Sequence, residues 1–551
     1  MHKTLFAGTV LYCAAALATN YYVDAENGDD GWTGTAPIES RVGTTGPKKS
    51  LKGAMEISGL KSGDVVWVAA GVYSNEVMTT TETIGGASVT VKNRVVVPAG
   101  VTLKSQEGAF KTFIVGDVDA TDPQWNGCGP DSVRCVFLGQ GAKLIGFTVT
   151  GGHAAMTSAS AGAAGGGINC DKPAHSTYSQ YGTIDHCVIS NNHAYAFCGG
   201  GCYGIYKYCR IVENSVATAS SESCCSGVGY DIRLILRNCY IDGNTGGNVQ
   251  ASQMREMSGT TFGLNGDPSC VIRGDFSVTA YNCAILRAPR KWIGNTTPIV
   301  YKLTPDNCYV NESIANLPDE IDAQHRRPAS DFKLDEVGRP MRGSCLIDSG
   351  TNANVNEPTA VDVFGVPRLL NATVDVGAYE HDWREDYAVA LDPLGDLSVS
   401  SCSSDVTLVD GNVVRLAPDT SLDAVWRSRV EGAADFWMHV RVTGTGTLNV
   451  YVDGSASPDF TVVGSDGDRK LQVSHTGDLT LRFEYVKGAA DDGGAEIFDF
   501  SQMAYANVIA LDGGVSLVGV LPGVNSVSAG GTLSFSVRRA FDRATDRKSV
   551  V

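Results

Sequence analysis

Basic residues are in short supply. Against 60 Asp and Glu the 551-residue chain carries 43 Lys and Arg, a formal charge of −17. Such a surface repels a phosphate backbone, so nucleic acid is not an expected partner. A wholesale grip on an acidic polymer is also disfavoured, although a local basic groove is not. After the first 18 residues no apolar run reaches the roughly 20 needed to cross a bilayer as a helix. No CxxC pair and no His/Cys cluster has zinc spacing. The paired carboxylates of a glycoside hydrolase cannot be picked out either.

What the chain does have is glycine, 64 residues, as turn-dense β-architecture requires, and 16 cysteines. The cysteines mark a repeat. Cys187-Val-Ile-Ser-Asn-Asn192, Cys209-Arg-Ile-Val-Glu-Asn214 and Cys239-Tyr-Ile-Asp-Gly-Asn244 align, and Cys283-Ala-Ile-Leu286 and Cys308-Tyr-Val-Asn-Glu-Ser313 repeat the start. Upstream, Phe147 to Ala154 matches Cys187 to Ala194 and ends in the same His-Ala. The units begin 40, 22, 30, 44 and 25 residues apart, the mark of a solenoid with loops of varied length.

Each unit reads as a short strand. Side chains alternate along a strand, so the Cys and the apolar residue two positions on share a face and point into a core. Val188, Arg210, Tyr240, Ala284 and Tyr309 then face solvent, and Asn192, Asn214 and Asn244 form a hydrogen-bonded ladder at the following turn. The expected fold is all-β: a right-handed parallel β-helix over 19–385, with strands at 187–189, 209–211 and 239–241. Once Cys13 leaves with the leader, 15 cysteines remain. Those on the ladder are expected as buried thiols, with bridges pairing Cys128 with Cys135 or Cys198 with Cys202.

Taken in order, residues 1–18 have a weakly basic start, an apolar stretch and a small-x-small end at Ala16-Leu17-Ala18, which is signal-peptide grammar. Tyr12 stands where a lipoprotein signal at Cys13 needs a small residue. The mature protein is therefore expected outside the cytoplasm, secreted or at the cell surface, without a transmembrane segment and as a monomer. Ser50 can cap a helix near 50–58 that plugs the open end of the solenoid. Asp24, Glu26, Asn27, Asp29 and Asp30 could hold calcium, and turn chemistry accounts for them equally well. No other cofactor is assigned. Over 386–505, alternating segments such as Trp437 to Val442 and Asp478 to Tyr485 read as a jelly-roll-like β-sandwich. Residues 506–551 start further strands that stop before completing a domain, as in a fragment.

Two family resemblances arise from these residues. The run Gly165-Gly-Gly-Ile168, with Asn192-x-Ala194 and Gly199-Gly-Gly201, partly resembles the repeats of polymorphic outer-membrane proteins, with Cys or Val often replacing the expected Phe. More specifically, Cys345-Leu-Ile-Asp-Ser-Gly350, Asp362 to Arg368 and Val374-Asp-Val-Gly-Ala-Tyr-Glu380 resemble the choice-of-anchor Q segment of secreted bacterial β-helix proteins, whose hallmark Asp-x-Gly-Ala-x-Glu falls at Asp375 to Glu380. That resemblance implies a bacterial envelope or extracellular protein, in a family spanning carbohydrate-active enzymes and surface proteins. Polygalacturonase motifs are absent.

Register brings Asp185, His186, Lys207, Tyr208, Arg210, Arg237, Asn238 and Tyr240 to one face over three rungs about 4.8 Å apart. Rings to stack on, amides for hydroxyls and cations for carboxylates suit an extended sugar chain. His186, Lys207 or Tyr208 could serve as the base of a uronate lyase, and a solvated sheet face accounts for the same residues. The expected function is binding or degradation of polysaccharide on a lyase- or hydrolase-like scaffold. The alternative is a non-catalytic, adhesin-like surface protein with the solenoid as its stalk.

Overall fold

The computed structural model describes residues 18–504 apart from 39–43, 85, 123–124, 159–160, 163, 172–179, 196–197, 218–224, 230–233, 247–248, 253, 264–269, 274–277, 287–302, 313–324, 336, 356–359, 371–372, 393–395, 404, 410–412, 429–432 and 490–492. The leader up to residue 17 and the segment 506–551 lie outside the described residues. Internal contacts divide the chain into two compact units after His381.

The first unit is a parallel β-helix. One ten-stranded sheet climbs from Asn20–Val23 through Thr183–Asp185, Ile205–Lys207 and Leu234–Arg237 to Leu303–Asp306. A second ten-stranded sheet climbs beside it from Gly71–Tyr73 to Arg326–Arg327, and in its middle Val149, Ile189, Ile211 and Ile241 stack in register. A third sheet of eight strands is parallel except for the hairpin of Met78–Ile84 with Ala87–Val97. At the start of the solenoid the helix Leu51–Met55 is capped by Ser50, whose hydroxyl accepts from Gly53 N at 2.9 Å. Leu51, Ala54 and Met55 are buried in the same core as Val23 and Val66.

The bend between the first two sheets explains the cysteines. The residue before each of them is left-handed: His186, Tyr208, Asn238, Asn282 and Asn307 have φ between 49° and 56°. The cysteine is the first residue past this corner. The strands accordingly begin one position later than the spacing predicts, at Val188–Ser190, Arg210–Val212 and Tyr240–Asp242. Cys187, Cys209 and Cys239 still point inward and are essentially buried. Each thiol donates back across the corner to the carbonyl two residues earlier; for Cys209 that is Lys207 O at 3.1 Å. Burial pushes the Cys209 and Cys283 thiols well above their ordinary pKa, which leaves them inert.

The same corner reveals a coil that cysteine counting misses. Thr260 follows the left-handed Gly259 and sends its hydroxyl to Ser258 O at 3.1 Å, as the cysteines send their thiols. The strand Thr261–Phe262 pairs with Tyr240–Asp242 below and Ala284–Ile285 above. The long interval from Cys239 to Cys283 thus holds two coils. At the far end of the second sheet the asparagine ladder forms as expected. Asn192 N and Nδ2 donate to Asn214 Oδ1 at 3.1 and 3.0 Å, and Asn214 N and Nδ2 both donate to Asn244 Oδ1 at 2.9 Å.

Neither expected disulfide is present. Cys128 and Cys135 are separate buried thiols. Cys135 lies on an inward strand position and donates to Thr150 O at 3.1 Å, while burial pushes both thiols up to about 12. Cys198 and Cys202 are unbridged as well, although their thiols are in contact, and the Sγ of Cys198 also meets that of Cys225, at 2.8 Å.

Beyond Arg327 the chain folds back onto the second sheet. Ala378 and Tyr379 pack on Tyr240, and Leu346 and Val376 pack on Ala284 and Leu286. The Asp-x-Gly-Ala-x-Glu residues hold this cover in place. Gly377 has φ +104°, and a Cβ there would sit 2.4 Å from Thr261 Oγ1, so the contact needs glycine. Ala378 N donates to that same hydroxyl at 2.8 Å. Beneath lies a buried polar network. Arg368 donates to Tyr379 O and Asp375 O at 3.0 and 2.7 Å, Asp375 accepts from Asp348 N and His381 N, and Asp362 accepts from Phe364 N and Val366 N. One guanidinium cannot neutralise three buried carboxyls. Burial pushes Glu380 up to about 9 despite Arg368, and its Oε1 has no hydrogen-bond partner. Asp375 rises to about 6 for the same reason.

The second unit is an antiparallel sandwich of two five-stranded sheets, centred on Ala433–Val442, Ala495–Ala504, Thr420–Trp426 and Leu479–Val486. Alternation places Leu422, Ala424 and Trp426 inward from one sheet, where Trp426 meets Phe436 and Phe500 of the other at 4.8 and 5.2 Å. The helix Trp383–Leu391 adds Tyr387 and Leu391 to this core.

Two stability measurements test these assignments. Asn214→Ala strands the two donors of Asn192 and the Ile189 carbonyl, and should cost about 3 kcal/mol or more in urea unfolding. Cys209→Ser should cost only about 1 kcal/mol, because a hydroxyl can reach Lys207 O as that of Thr260 reaches Ser258 O, and the loss should be the same with and without reductant. For Glu380 the folded pKa lies above the unfolded one, so the native state holds the extra proton. Below about 4.5 the group costs nothing; as pH rises from there towards 9 its contribution is lost. Glu380→Gln should flatten the fall in stability between pH 5 and 8.

Candidate functional site

The second sheet's strands end at Thr150, Ser190, Val212 and Asp242, and in each coil the next residue is left-handed: Gly151, Asn191, Glu213 and Gly243, with φ between 53° and 68°. Glycine takes this conformation freely, whereas a side chain costs on the order of 1 kcal/mol. The chain accepts that cost at Asn191 and Glu213, neighbours on successive coils. Two residues further on, His153, His193 and Ser215 pair in register in a short three-stranded sheet. Together with Asn126, itself left-handed at φ +51°, these five residues line an open pocket of about 340 Å³. Next to Asn126 in sequence, Trp125 meets Tyr195 edge to face at 5.0 Å.

The two imidazoles lie 5.5 Å apart. His153 Nδ1 is 3.2 Å from Gly151 O, which can only accept, so Nδ1 carries the hydrogen and Nε2 keeps its lone pair. His193 Nδ1 is 2.7 Å from the Ser215 hydroxyl, and its Nε2 is buried without a hydrogen-bond partner. Burial, reinforced by His153, lowers His193 to about 4, and burial lowers His153 too. At neutral pH the pocket therefore offers two uncharged imidazoles, the exposed carboxylate of Glu213, two amides and a hydroxyl. Such a set can hydrogen-bond sugar hydroxyls, and His153 Nε2 can accept a proton. Among the described residues no lysine or arginine lines it.

The eight residues of the predicted face fall into two groups. Asp185, Lys207 and Arg237 do stack in register at the end of the first sheet, and His186, Tyr208 and Asn238 occupy the left-handed corner after it. Asp185 contacts His186 Nδ1, the rings of His186 and Tyr208 lie 4.7 Å apart, and Arg237 pairs with Glu256 at 3.1 Å. Tyr240 does not face solvent. It is 5 % exposed, with Tyr379 at 5.3 Å over its ring and its hydroxyl donated to Asp242 at 2.8 Å. Arg210 is drawn in with it, donating to Tyr379 Oη at 3.2 Å and lying over the rings of Tyr240 and Phe364. The cause is the cover built from residues 362–380, so Tyr240→Ala would open a cavity in that packing rather than report on a ligand.

The sequence held a signal for the pocket, the His-Ala pair repeated at His153 and His193, but it served only to align the coils. Asn191 and Glu213 gave none, because their left-handed backbone is invisible in residue type. In the calcium candidate, Asp24 accepts from Glu26 N and Asn27 N, Asp29 from Gly31 N, and Asp30 from Lys49 N and Ser50 N. The oxygens of Asp24 and Asp29 serve local turns and those of Asp30 hold the start of the cap helix, and among the described residues no group of three or more His, Cys, Asp or Glu is arranged to hold a metal. Nor is any described helix long and apolar enough to cross a membrane.

No family model matches the chain, and no curated protein does. Among solved structures it is similar, over 81 % of its length, to the enzymatically active domain of tailspike protein 4 of bacteriophage CBA120, at 10 % identity and a TM-score of 0.22, covering 55 % of that domain. It is similar over 20 % of its length to a CBM36 domain of a multidomain xylanase from the hindgut metagenome of Trinervitermes trinervoides, at 14 % identity and a TM-score of 0.16, covering 99 % of that domain. A family two carbohydrate esterase from Clostridium thermocellum matches 17 % of the chain at 15 % identity and a TM-score of 0.14. The chain spans about half of the tailspike domain and just over a quarter of that esterase. Likenesses this remote transfer no activity.

His193 supplies the test of the site's electrostatics. Its folded pKa lies below the usual 6.5, so its neutral form stabilises fully above pH 6.5 and that contribution is lost as pH falls towards 4. NMR titration should find its ring neutral at pH 5.5, and His193→Asn should lessen the loss of stability between pH 6.5 and 4.5.

Proposed function

We propose that the protein binds a neutral polysaccharide in the pocket of His153, His193 and Glu213, and that it works outside the cytoplasm, as its leader suggests. The observation that carries this reading is the placing of Asn191 and Glu213, at a conformational cost, beside two uncharged imidazoles. Hydroxyl-rich ligands are met by such neutral donors and acceptors, and a uronate would bring its carboxylate towards that of Glu213 with no cation to offset it. If the bound sugar is also cleaved, His153 is the group placed to take a proton. The corner formed by Asp185, His186, Lys207 and Tyr208, with its stacked rings, is a second place for a sugar, and there the cation suits an acidic one. The choice-of-anchor-like motif has a structural part in this reading: it seals the second sheet. That sealing also favours the rival reading of a stalk.

A panel of neutral and acidic polysaccharides separates these readings, with binding measured by calorimetry and cleavage by reducing ends and unsaturated-uronate absorbance. His153→Ala and Glu213→Ala should each weaken binding of a neutral glycan tenfold or more, while Lys207→Ala leaves it unchanged, with Tm recorded for each variant. If acidic glycans bind and Lys207→Ala abolishes that, the site is the corner. A wild type that binds nothing on the panel leaves the stalk.

A further inference from the structure

Behind the pocket the third sheet carries a cluster of three thiols that neither the fold nor the proposed site uses. Cys198, Cys202 and Cys225 are each fully buried and pack together with Ala164 and Tyr203. Cys198 takes the left-handed conformation at φ +50°, just before the strand Gly201–Cys202. Its Sγ lies 2.8 Å from that of Cys225, on the next coil, where Gly199 N donates to Cys225 O at 3.2 Å. Two unbonded sulfurs are not comfortable inside their van der Waals contact, about 3.6 Å, and a dithiol so placed is one oxidation away from relief. No neighbouring cation stabilises a thiolate at Cys198, and burial raises its pKa far above the ordinary value, so the pair has no catalytic character.

We propose that Cys198 and Cys225 form a disulfide that staples two successive coils of the third sheet, with Cys202 kept as a buried thiol. The oxidant is a small or protein disulfide, R–S–S–R, of an oxidising compartment. Before the coils close, the Cys198 thiolate attacks one sulfur of the donor and releases RSH; the Cys225 thiolate then attacks the Cys198 sulfur and releases the second RSH. The two cysteine protons end on the two released thiols, and the donor takes up two electrons. The bond encloses the loop from Cys198 to Cys225 and so restricts the unfolded chain. It also ties down the chain that leaves His193 and Tyr195, while Cys187, Cys209, Cys239 and Cys283, each held by a carbonyl on its own corner, remain thiols.

Export of the full chain to an oxidising compartment, denaturation with iodoacetamide, digestion and tandem mass spectrometry test this directly. A peptide pair joining Cys198 to Cys225, two hydrogens lighter than its parts and separated by dithiothreitol, is expected, with Cys187, Cys209, Cys239 and Cys283 alkylated. Reductant should lower the Tm of wild type and of Cys202→Ser, and should leave that of Cys225→Ser unchanged. Alkylated Cys198 and Cys225, or a bridge from Cys198 to Cys202 or Cys224, overturns the assignment. The bridge rests on the proposed location outside the cytoplasm and not on glycan binding, which plays no part in the readout, so the failure of one is distinguishable from the failure of the other.

Discussion

Along the axis a coil of this β-helix meets only the coils before and after it, so the backbone groups of its strands and turns are satisfied mainly in that direction. The buried amides of Asn192, Asn214 and Asn244 do this at the far end of the second sheet. Each offers its side-chain oxygen to the coil before, and Asn192 and Asn214 take the next one with their own backbone and side-chain N–H, while Asn244 Nδ2 donates to Ile211 O. The pocket depends on them directly. Asn192 stands between Asn191 and His193, and Asn214 between Glu213 and Ser215, so fixing the inward amide fixes the outward residues on either side. The site is positioned by the same hydrogen bonds that stack the coils, and needs no separate framework.

The solenoid's second sheet faces a different constraint, since its outer surface carries residues that water does not cover. Phe364 and Tyr379 lie over Arg210 and Tyr240, and the cover stays down through a network in which carboxyls outnumber the guanidinium of Arg368. Desolvation wins over that single cation, and Glu380 holds a proton into the alkaline range. Asp375 and Glu380 thereby serve structure. A buried, protonated carboxyl can look like a general acid, but Glu380 is closed off beneath the cover and meets no pocket residue.

Much of this architecture was legible because it depends on residue type at fixed offsets. Cys209 and Ile211 repeat two apart, as a strand face requires, and Asn214 follows at the turn. The coil at Thr260 was hidden because threonine does with a hydroxyl what cysteine does with a thiol, so one physical role was written with two residues. Tyr240 was misplaced because alternation tells which side of a strand a residue takes, and says nothing about a segment more than a hundred residues later that returns to cover it. The pocket was overlooked for a related reason: it is defined by backbone conformation at Asn191 and Glu213 and by a loop residue, Asn126, from an earlier part of the chain.

Left-handed side chains by themselves would not single out that pocket, since the first corner has them in nearly every coil. What separates the two columns is where the side chains go. At the first corner they are engaged by the protein: Asn282 exchanges two hydrogen bonds with the backbone of Thr351, Asn307 donates to Ser349 O, and His186 meets Asp185. Asn282 and Asn307 thereby recover the cost of φ near +50° in contacts with the returning segment at Ser349 and Thr351. In the second column the coils on either side use glycine, at Gly151 and Gly243, so the turn itself asks for no side chain. Asn191 and Glu213 interrupt the glycines on the two coils where the pocket is, and their polar ends line it beside His193 and Ser215. A conformational cost that the turn does not require, placed where two neutral, partly buried imidazoles line an open pocket, is what marks this end of the sheet, rather than the cysteine-lined corner, as the place to look for a ligand.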